Sequence, residues 1–200
     1  GYDVDGYSNI QYHLPADLLP FGITAKLGYV PNMSATTMLS AKESDTTLTD
    51  RSEGKDMQMI QVAASPIDGL SLKGGYTEVQ GEGGIVGEVE DGVSANVGGK
   101  YTMGQFSIGY VEGGYQPAVG AAANDRTITY ENKFTGIQFD VNDALSVSWN
   151  EDESTRSTRN AIAAGSTTST TTDVTMDQTS LQLAYTVGGA TIGIADVEVD

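Results

Sequence analysis

The sequence predicts an all-β protein: an antiparallel up-and-down transmembrane β-barrel with about ten strands in this chain. Three observations carry this prediction. Apolar and polar residues alternate along many segments, short and long links alternate between those segments, and aromatic residues collect near the segment ends. Together these features are typical of strands that have one apolar and one polar face.

Alternation with a period of two runs through segments such as Leu145–Trp149 and Leu181–Val187. In the second segment Leu, Leu, Tyr and Val occupy every other position, which is the pattern of a β-strand. Spacings of three or four are rare, and Gly, Thr and Ser interrupt every candidate helix. A change of phase near 134–136 predicts a β-bulge in the seventh strand. The predicted strands are 8–14, 21–30, 57–65, 70–79, 93–102, 105–115, 127–140, 144–151, 177–187 and 190–199.

The links between these strands alternate between short and long without exception. The short links carry turn residues such as Asp68-Gly69 and Gly188-Gly189. The long links, which include 31–55 and 152–176, are polar and without pattern. In a meander all the short turns then lie at one rim, as in a transmembrane barrel with tight turns on one side and long loops on the other.

Aromatic residues on the predicted apolar faces lie near strand ends, with Ile, Leu, Val and Ala between them. Rings at two levels are the girdles of a membrane barrel. The opposite faces carry Thr, Ser, Gly, Gln, Asn and an occasional Lys, which suits a water-filled lumen better than a packed core. We therefore expect the following residues to line a pore: Lys26, Lys73, Lys100, Ser148 and Gln182.

Composition excludes several function classes. With 10 Lys and Arg against 27 Asp and Glu, the net charge is −17, so the chain is not expected to bind nucleic acid. It has no Cys and a single His, His13, which no recognised motif ties to a nucleophile, so no catalytic residue, metal site or cofactor is expected. No apolar run approaches the roughly 18 residues of a membrane-spanning helix.

Acidic residues cluster in two of the predicted loop regions. Glu82, Glu88, Glu90 and Asp91 follow one another without an intervening Lys or Arg, and Glu151–Glu153 lies at the start of another long link. We interpret the first group as vestibule acids that enrich cations at a pore mouth. Two alternatives are divalent-ion bridges to anionic lipopolysaccharide and simple loop solubility.

Several segments resemble the general porins of Gram-negative outer membranes, in particular the alphaproteobacterial type. The resemblance rests on Tyr7–Pro15 (YSNIQYHLP), Leu19–Pro31 (LPFGITAKLGYVP), Asp140–Glu151 (DVNDALSVSWNE) and Gln182–Ala195 (QLAYTVGGATIGIA). It implies a sixteen-stranded passive channel for small hydrophilic solutes and ions, set in outer-membrane lipid and lipopolysaccharide, and a homotrimer when full length. No enzyme activity is implied.

Two departures from the family pattern bear on this expectation. The chain ends on Glu198-Val199-Asp200 instead of an aromatic residue, and it starts at or just after the place of the inward-folded constriction loop. Both are explained if the chain is a fragment, a partial, open barrel segment that runs from the sixth to the fifteenth of sixteen strands. A complete ten-stranded barrel would also have an even strand number and stays open as an alternative. Two other readings stay open: a non-conducting outer-membrane barrel, an adhesin or receptor with ligand-binding external loops, and a secreted all-β binding domain.

Overall fold

The computed structural model describes residues 9–15, 18–31, 53–82, 91–116, 126–159 and 170–200. In these ranges ten antiparallel strands form one sheet in sequence order. The all-β, up-and-down prediction is thereby confirmed. The strands are β1 (Ile10–His13), β2 (Thr24–Val30), β3 (Glu53–Ala64), β4 (Leu70–Glu82), β5 (Gly92–Met103), β6 (Phe106–Gln116), β7 (Arg126–Asn142), β8 (Leu145–Arg159), β9 (Thr171–Val187) and β10 (Ala190–Val199).

Each strand pairs only with its neighbours in sequence, so β1 pairs with β2 alone and β10 with β9 alone among the described residues. The sheet is not closed. Because consecutive strands are antiparallel, the links alternate between the two rims. The strand ends joined by short links therefore all lie at one rim, the turn rim, and those joined by long links lie at the other, the loop rim.

The short turns have local causes in the sequence. Gly69 adopts a φ of 77° between β3 and β4, and its carbonyl oxygen accepts a hydrogen bond from the Thr102 amide at 2.9 Å. Between β7 and β8 the side-chain oxygen of Asn142 accepts bonds from the amides of Ala144 (2.9 Å) and Leu145 (3.0 Å). This is an Asx turn, in which a side chain replaces a backbone acceptor.

The start of β2 differs from the predicted strand 21–30. Pro20–Gly22 forms a 3-10 turn in which Phe21 and Gly22 both have positive φ, 62° and 60°. The Phe21 carbonyl accepts the Ser65 amide at 3.1 Å, which holds this turn against the next one along the rim. The paired strand therefore begins only at Thr24, and Phe21 and Ile23 are not part of the strand face.

The largest corrections concern β8 and β9. The predicted strands 144–151 and 177–187 are too short, because β8 continues to Arg159 and β9 starts at Thr171. The predicted bulge at 134–136 is wrong as well. The ladder between β7 and β8 shifts instead between Thr127 and Thr129 and between Asp140 and Asn142.

The sheet is a single layer with little buried hydrophobic surface. Among the described residues the buried apolar side chains are Val30, Met57 and Val79. They share one ladder row across β2, β3 and β4 near the loop rim. No described helix is long and apolar enough to span a membrane.

Candidate functional site

The register divides the sheet into two chemically different faces. Residues paired across a ladder point to the same side, and side chains alternate along each strand. Leu27 pairs with Ile60, which pairs with Tyr76, which in turn pairs with Ala95, so these four side chains point to the same side of the sheet. We call the side that holds Leu27 and Tyr76 the apolar face and the opposite side, which holds Lys26, the polar face.

The apolar face is uncovered. Its side chains keep a large fraction of their surface exposed: Leu181 is 55% and Ile194 66% exposed. In a soluble protein such a surface is buried against a second layer. Exposed members of this face are Ile10, Tyr12, Leu27, Tyr29, Ile60, Val62, Leu72, Tyr76, Val97, Tyr101, Met103, Phe106, Ile108, Tyr110, Phe139, Trp149, Leu181, Leu183, Tyr185, Val187, Ile192 and Ile194.

We call the exposed apolar side chains of this face the apolar band. Toward the loop rim the apolar band ends at a row of carboxylates. On β4 the hydroxyl of Tyr76 donates to Glu78 at 3.0 Å, and on β6 the hydroxyl of Tyr110 donates to Glu112 at 2.9 Å. Each tyrosine thus keeps its ring with the apolar residues and its hydroxyl with the acids. The same step from apolar to acidic occurs at Trp149/Glu151 on β8 and at Ile194/Asp196 on β10.

This boundary crosses the sheet obliquely. The ladder row through Tyr76 reaches Thr155 on β8, but the boundary residue there is Trp149. From β4 to β8 the boundary shifts by six residues along the strand direction, which is about 20 Å. Across the strands the same interval is four inter-strand steps, about 19 Å in total. The strands therefore cross the band at roughly 47° to its normal.

The turn rim has a similar inclination. The row through Leu70, the first residue of β4, reaches Trp149, four residues inside the start of β8 at Leu145. Over the same four steps this corresponds to roughly 35°. The two edges of the band together give a strand tilt between about 35° and 47°.

All five predicted pore-lining residues lie on the polar face. Lys26 and Lys73 line one cavity between β2 and β5, whereas Lys100 pairs with Ser71 and Gly109 outside it. Ser148 and Gln182 are ladder partners on β8 and β9, far across the sheet from the lysines. The Gln182 amide donates to the Ser180 hydroxyl at 3.2 Å.

Charge is unevenly distributed on this polar face. The ladder-paired polar-face positions of β1–β6 contain no carboxylate, while β7 and β8 contribute Asp140 and Asp152. The lysines thus lie where the described ladder positions of the polar face carry no acid, although the chain is strongly acidic.

The structure describes two of the four predicted vestibule acids, so this grouping stays a prediction. Glu82 is the last residue of β4, and Glu88 and Glu90 lie outside the described residues. Asp91 precedes β5, and its carbonyl accepts the Gln116 side-chain amide at 3.3 Å. The prediction that Asp152 and Glu153 lie in a long link is wrong, because both residues, like Glu151, belong to strand β8.

Within β8, Glu151 and Glu153 lie on the same side of the sheet as the apolar band, beyond its boundary. Glu153 accepts a hydrogen bond from the ammonium of Lys133 on β7 at 2.7 Å, an ion pair whose two side chains are both nearly half exposed.

The polar face also carries a set of apolar side chains that the alternation pattern does not predict. Beyond the band, Tyr115 and Tyr130 are ladder partners with ring centroids 6.0 Å apart, and Arg156 and Val174 continue their row. The polarity of the two faces is inverted in this region, since the other side carries Glu131, Lys133, Glu153 and Asp177. In the sequence, the change in the phase of apolar/polar alternation near 134–136 indicates this inversion.

Comparisons with known proteins add no family. A scan against protein-family models finds no match, and a search of curated proteins finds none. Among the described residues no three His, Asp or Glu side chains come close enough to hold a metal ion. The assignment of function therefore depends on the geometry of the two faces.

Proposed function

We propose that this protein forms part of the wall of an outer-membrane channel through which small hydrophilic solutes and ions diffuse. The apolar face contacts lipid, the polar face contacts water, and the carboxylates at the loop rim meet lipid headgroups and lipopolysaccharide. Passage needs no cofactor and no chemistry, because a polar lumen replaces part of the hydration of a solute.

The single observation that carries the proposal is the oblique apolar band. A sheet buried against another protein layer has no reason to end its apolar surface along an oblique boundary that recurs on β4, β6, β8 and β10. A membrane imposes such a line, and strands of transmembrane barrels tilt by about 35–45°, which agrees with the tilt derived from the ladder. Tyrosines whose hydroxyls reach carboxylates at this line fit the interfacial girdle.

A second function is favoured by one feature. Strands β8 and β9 extend past the boundary as an antiparallel pair that includes Ser154–Arg159, which is polar, and Thr171–Asp177, which exposes Val174 and Met176. Such an extension offers a surface for a partner, as in a non-conducting adhesin or receptor. Conductance separates the two functions, because only a channel passes ions.

The test of membrane placement uses single-cysteine variants, since the chain has no Cys of its own. Leu183 and Gln182 are adjacent on β9 and point to opposite faces. The whole reading frame is expressed, folded into lipid vesicles and exposed to a water-soluble maleimide. We expect Gln182→Cys to react and Leu183→Cys to stay unlabelled until detergent is added. Equal labelling of both in intact vesicles contradicts the membrane placement.

The same preparation, fused to a planar bilayer in KCl, tests conduction. Stepwise, ohmic conductance increments are expected. Correct labelling without conductance supports the receptor alternative over the channel.

A further inference from the structure

The polar face contains a cavity of about 370 Å³ between β2 and β5. This volume lies within the range of small-molecule sites. Its lining is mixed and cationic: two lysines, two side-chain amides and a threonine lie beside small and apolar residues. The lining residues are Thr24, Lys26, Gln61, Val62, Ala63, Lys73, Gly74, Gly75 and Asn96. We call it the lysine cavity.

The register explains why two lysines meet there. Lys26 on β2 pairs with Gln61, and Lys73 on β4 pairs with Ala63, two residues further along the intervening strand. Two strand spacings and a two-residue offset place their Cα atoms about 12 Å apart. Side chains as long as lysine can converge across that distance on one small solute.

The space exists because of a glycine. Gly75 is the ladder partner of both Gln61 and Asn96 and carries no side chain between them. A Cβ at Gly75 would lie 3.4 Å from the side-chain nitrogen of Asn96, so the Asn96 amide borders the open position. The Gln61 and Asn96 amides supply neutral hydrogen-bond donors beside the two ammonium groups.

The charge of the lysine cavity is uncompensated in the described part of the chain. No carboxylate lines it, and none occupies a ladder-paired polar-face position of β1–β6. Neither lysine forms a salt bridge with a described residue. Two cations without an acidic partner, set between amide donors, are complementary to an oxyanion.

We propose that the lysine cavity binds small oxyanions that carry two or more negative charges. Lys26 and Lys73 neutralise the charge, and Gln61 and Asn96 donate hydrogen bonds to the oxygens. The role of this site in transport rests on the proposed function, because a water-filled channel is what would bring solutes to this face. Binding itself is measurable without conduction.

The experiment is an amide NMR titration of the protein in detergent micelles with inorganic phosphate, at a pH where phosphate is a dianion. Chloride at matched ionic strength is the monovalent comparison. We expect saturable shifts at Gly74, Gly75 and Asn96 with phosphate and none of that size with chloride. Lys26→Met and Lys73→Met are each expected to weaken binding about tenfold.

Lys100→Met is the matched control, because Lys100 lies on the same face but does not line the lysine cavity. It is expected to leave the phosphate affinity within twofold of the parent. Equal weakening by all three substitutions would show diffuse attraction to a basic surface and would overturn the site. Absence of saturation in the parent protein would overturn it as well.

A second pair of variants keeps every charge and changes only the space. Gly75→Val fills the lysine cavity, whereas Gly109→Val adds the same side chain on the same face outside it. Loss of phosphate binding in the first and retention in the second support the site. Retained affinity in a folded Gly75→Val protein contradicts it.

Failure of this site and failure of the channel give different results. A conducting protein without phosphate-specific shifts refutes only the binding site. A non-conducting protein with saturable, Lys26-dependent shifts refutes only the channel.

Discussion

Gly69 is the residue in the described turns where a side chain has least room. Its φ is 77°, and a Cβ there would lie 2.2 Å from the carbonyl oxygen of Thr102 on the neighbouring strand. Gly104 also has a positive φ, 60°, but a Cβ there would meet nothing within 4 Å. The two positions therefore separate the cost of the backbone conformation from the cost of the contact.

We expect Gly69→Ala to lower the free energy of unfolding by about 2–4 kcal/mol and Gly104→Ala by about 1 kcal/mol. Both variants are unfolded in urea while the fluorescence of Trp149, the single tryptophan, is followed. Equal losses would mean that the Thr102 contact relaxes without cost.

Phe134 shows at the scale of one residue why part of the site escaped prediction. An aromatic residue out of phase with Ile137 and Phe139 predicts an inserted residue, because strands with one apolar face keep a strict alternation. The ladder is instead unbroken there, and Phe134 lies on the polar face, with its ring beside the open position of Gly136. The alternation had changed sides because the strand leaves the apolar band.

Strands β8 and β9 differ along their length in what stabilises them. Leu181–Val187 and Leu145–Trp149 alternate apolar and polar residues, so the sequence predicts both segments correctly. The extension does not alternate, since Ser154–Arg159 is polar on both faces. It is a strand because its backbone pairs with β9 and because pairs such as Thr155 and Thr175 form cross-strand hydroxyl contacts at 2.9 Å. The residue pattern of one strand does not predict which residues it pairs with on its neighbour.

The same reason separates the predictable part of the site from the rest. Lys26, Lys73 and Lys100 are each placed on the polar face by local alternation. That Lys26 and Lys73 line one cavity while Lys100 does not depends on the registers of β2 to β5, which no single-strand pattern specifies.

At the element scale the band makes a depth-dependent prediction along β9. Leu183 lies within the band, and Thr175 lies on the same side of the sheet beyond it. For protein folded in vesicles we expect Leu183→Lys to lower the free energy of unfolding by about 2–4 kcal/mol and Thr175→Lys by no more than about 1 kcal/mol. Urea titration in vesicles measures both.

Two outcomes of that titration would count against the lipid-facing assignment. One is a Leu183→Lys variant as stable as the parent. The other is a Thr175→Lys variant that loses as much stability as Leu183→Lys, because a loss that ignores depth does not report on a bilayer.

At the scale of the whole molecule, the charge distribution is expected to decide which ions enter the proposed channel. The net charge is −17, whereas Lys26, Lys73 and Lys100 form a basic area on the polar face. If the protein forms the proposed channel, we expect a modest preference for cations, because acidic residues outnumber basic ones. The preference should fade as salt rises, since the screening length is about 10 Å at 0.1 M.

The measurement is the zero-current potential across a bilayer under a KCl gradient at low salt. Neutralising Glu82, Glu88, Glu90 and Asp91 together is expected to reduce a potential of cationic sign. A potential of anionic sign in the parent protein contradicts the prediction.

The neighbour-only pairing of the ten strands has a consequence for how the molecule assembles. Within the described ranges no ladder joins strands that are distant in the topology, so little loop-closure entropy is lost before each contact forms. Turns such as Gly188-Gly189 and Gly104-Gln105 can close their hairpins in microseconds, well before the sheet is complete. The free edge strand of each finished hairpin can then pair with the next hairpin, so the sheet grows by the addition of one hairpin at a time.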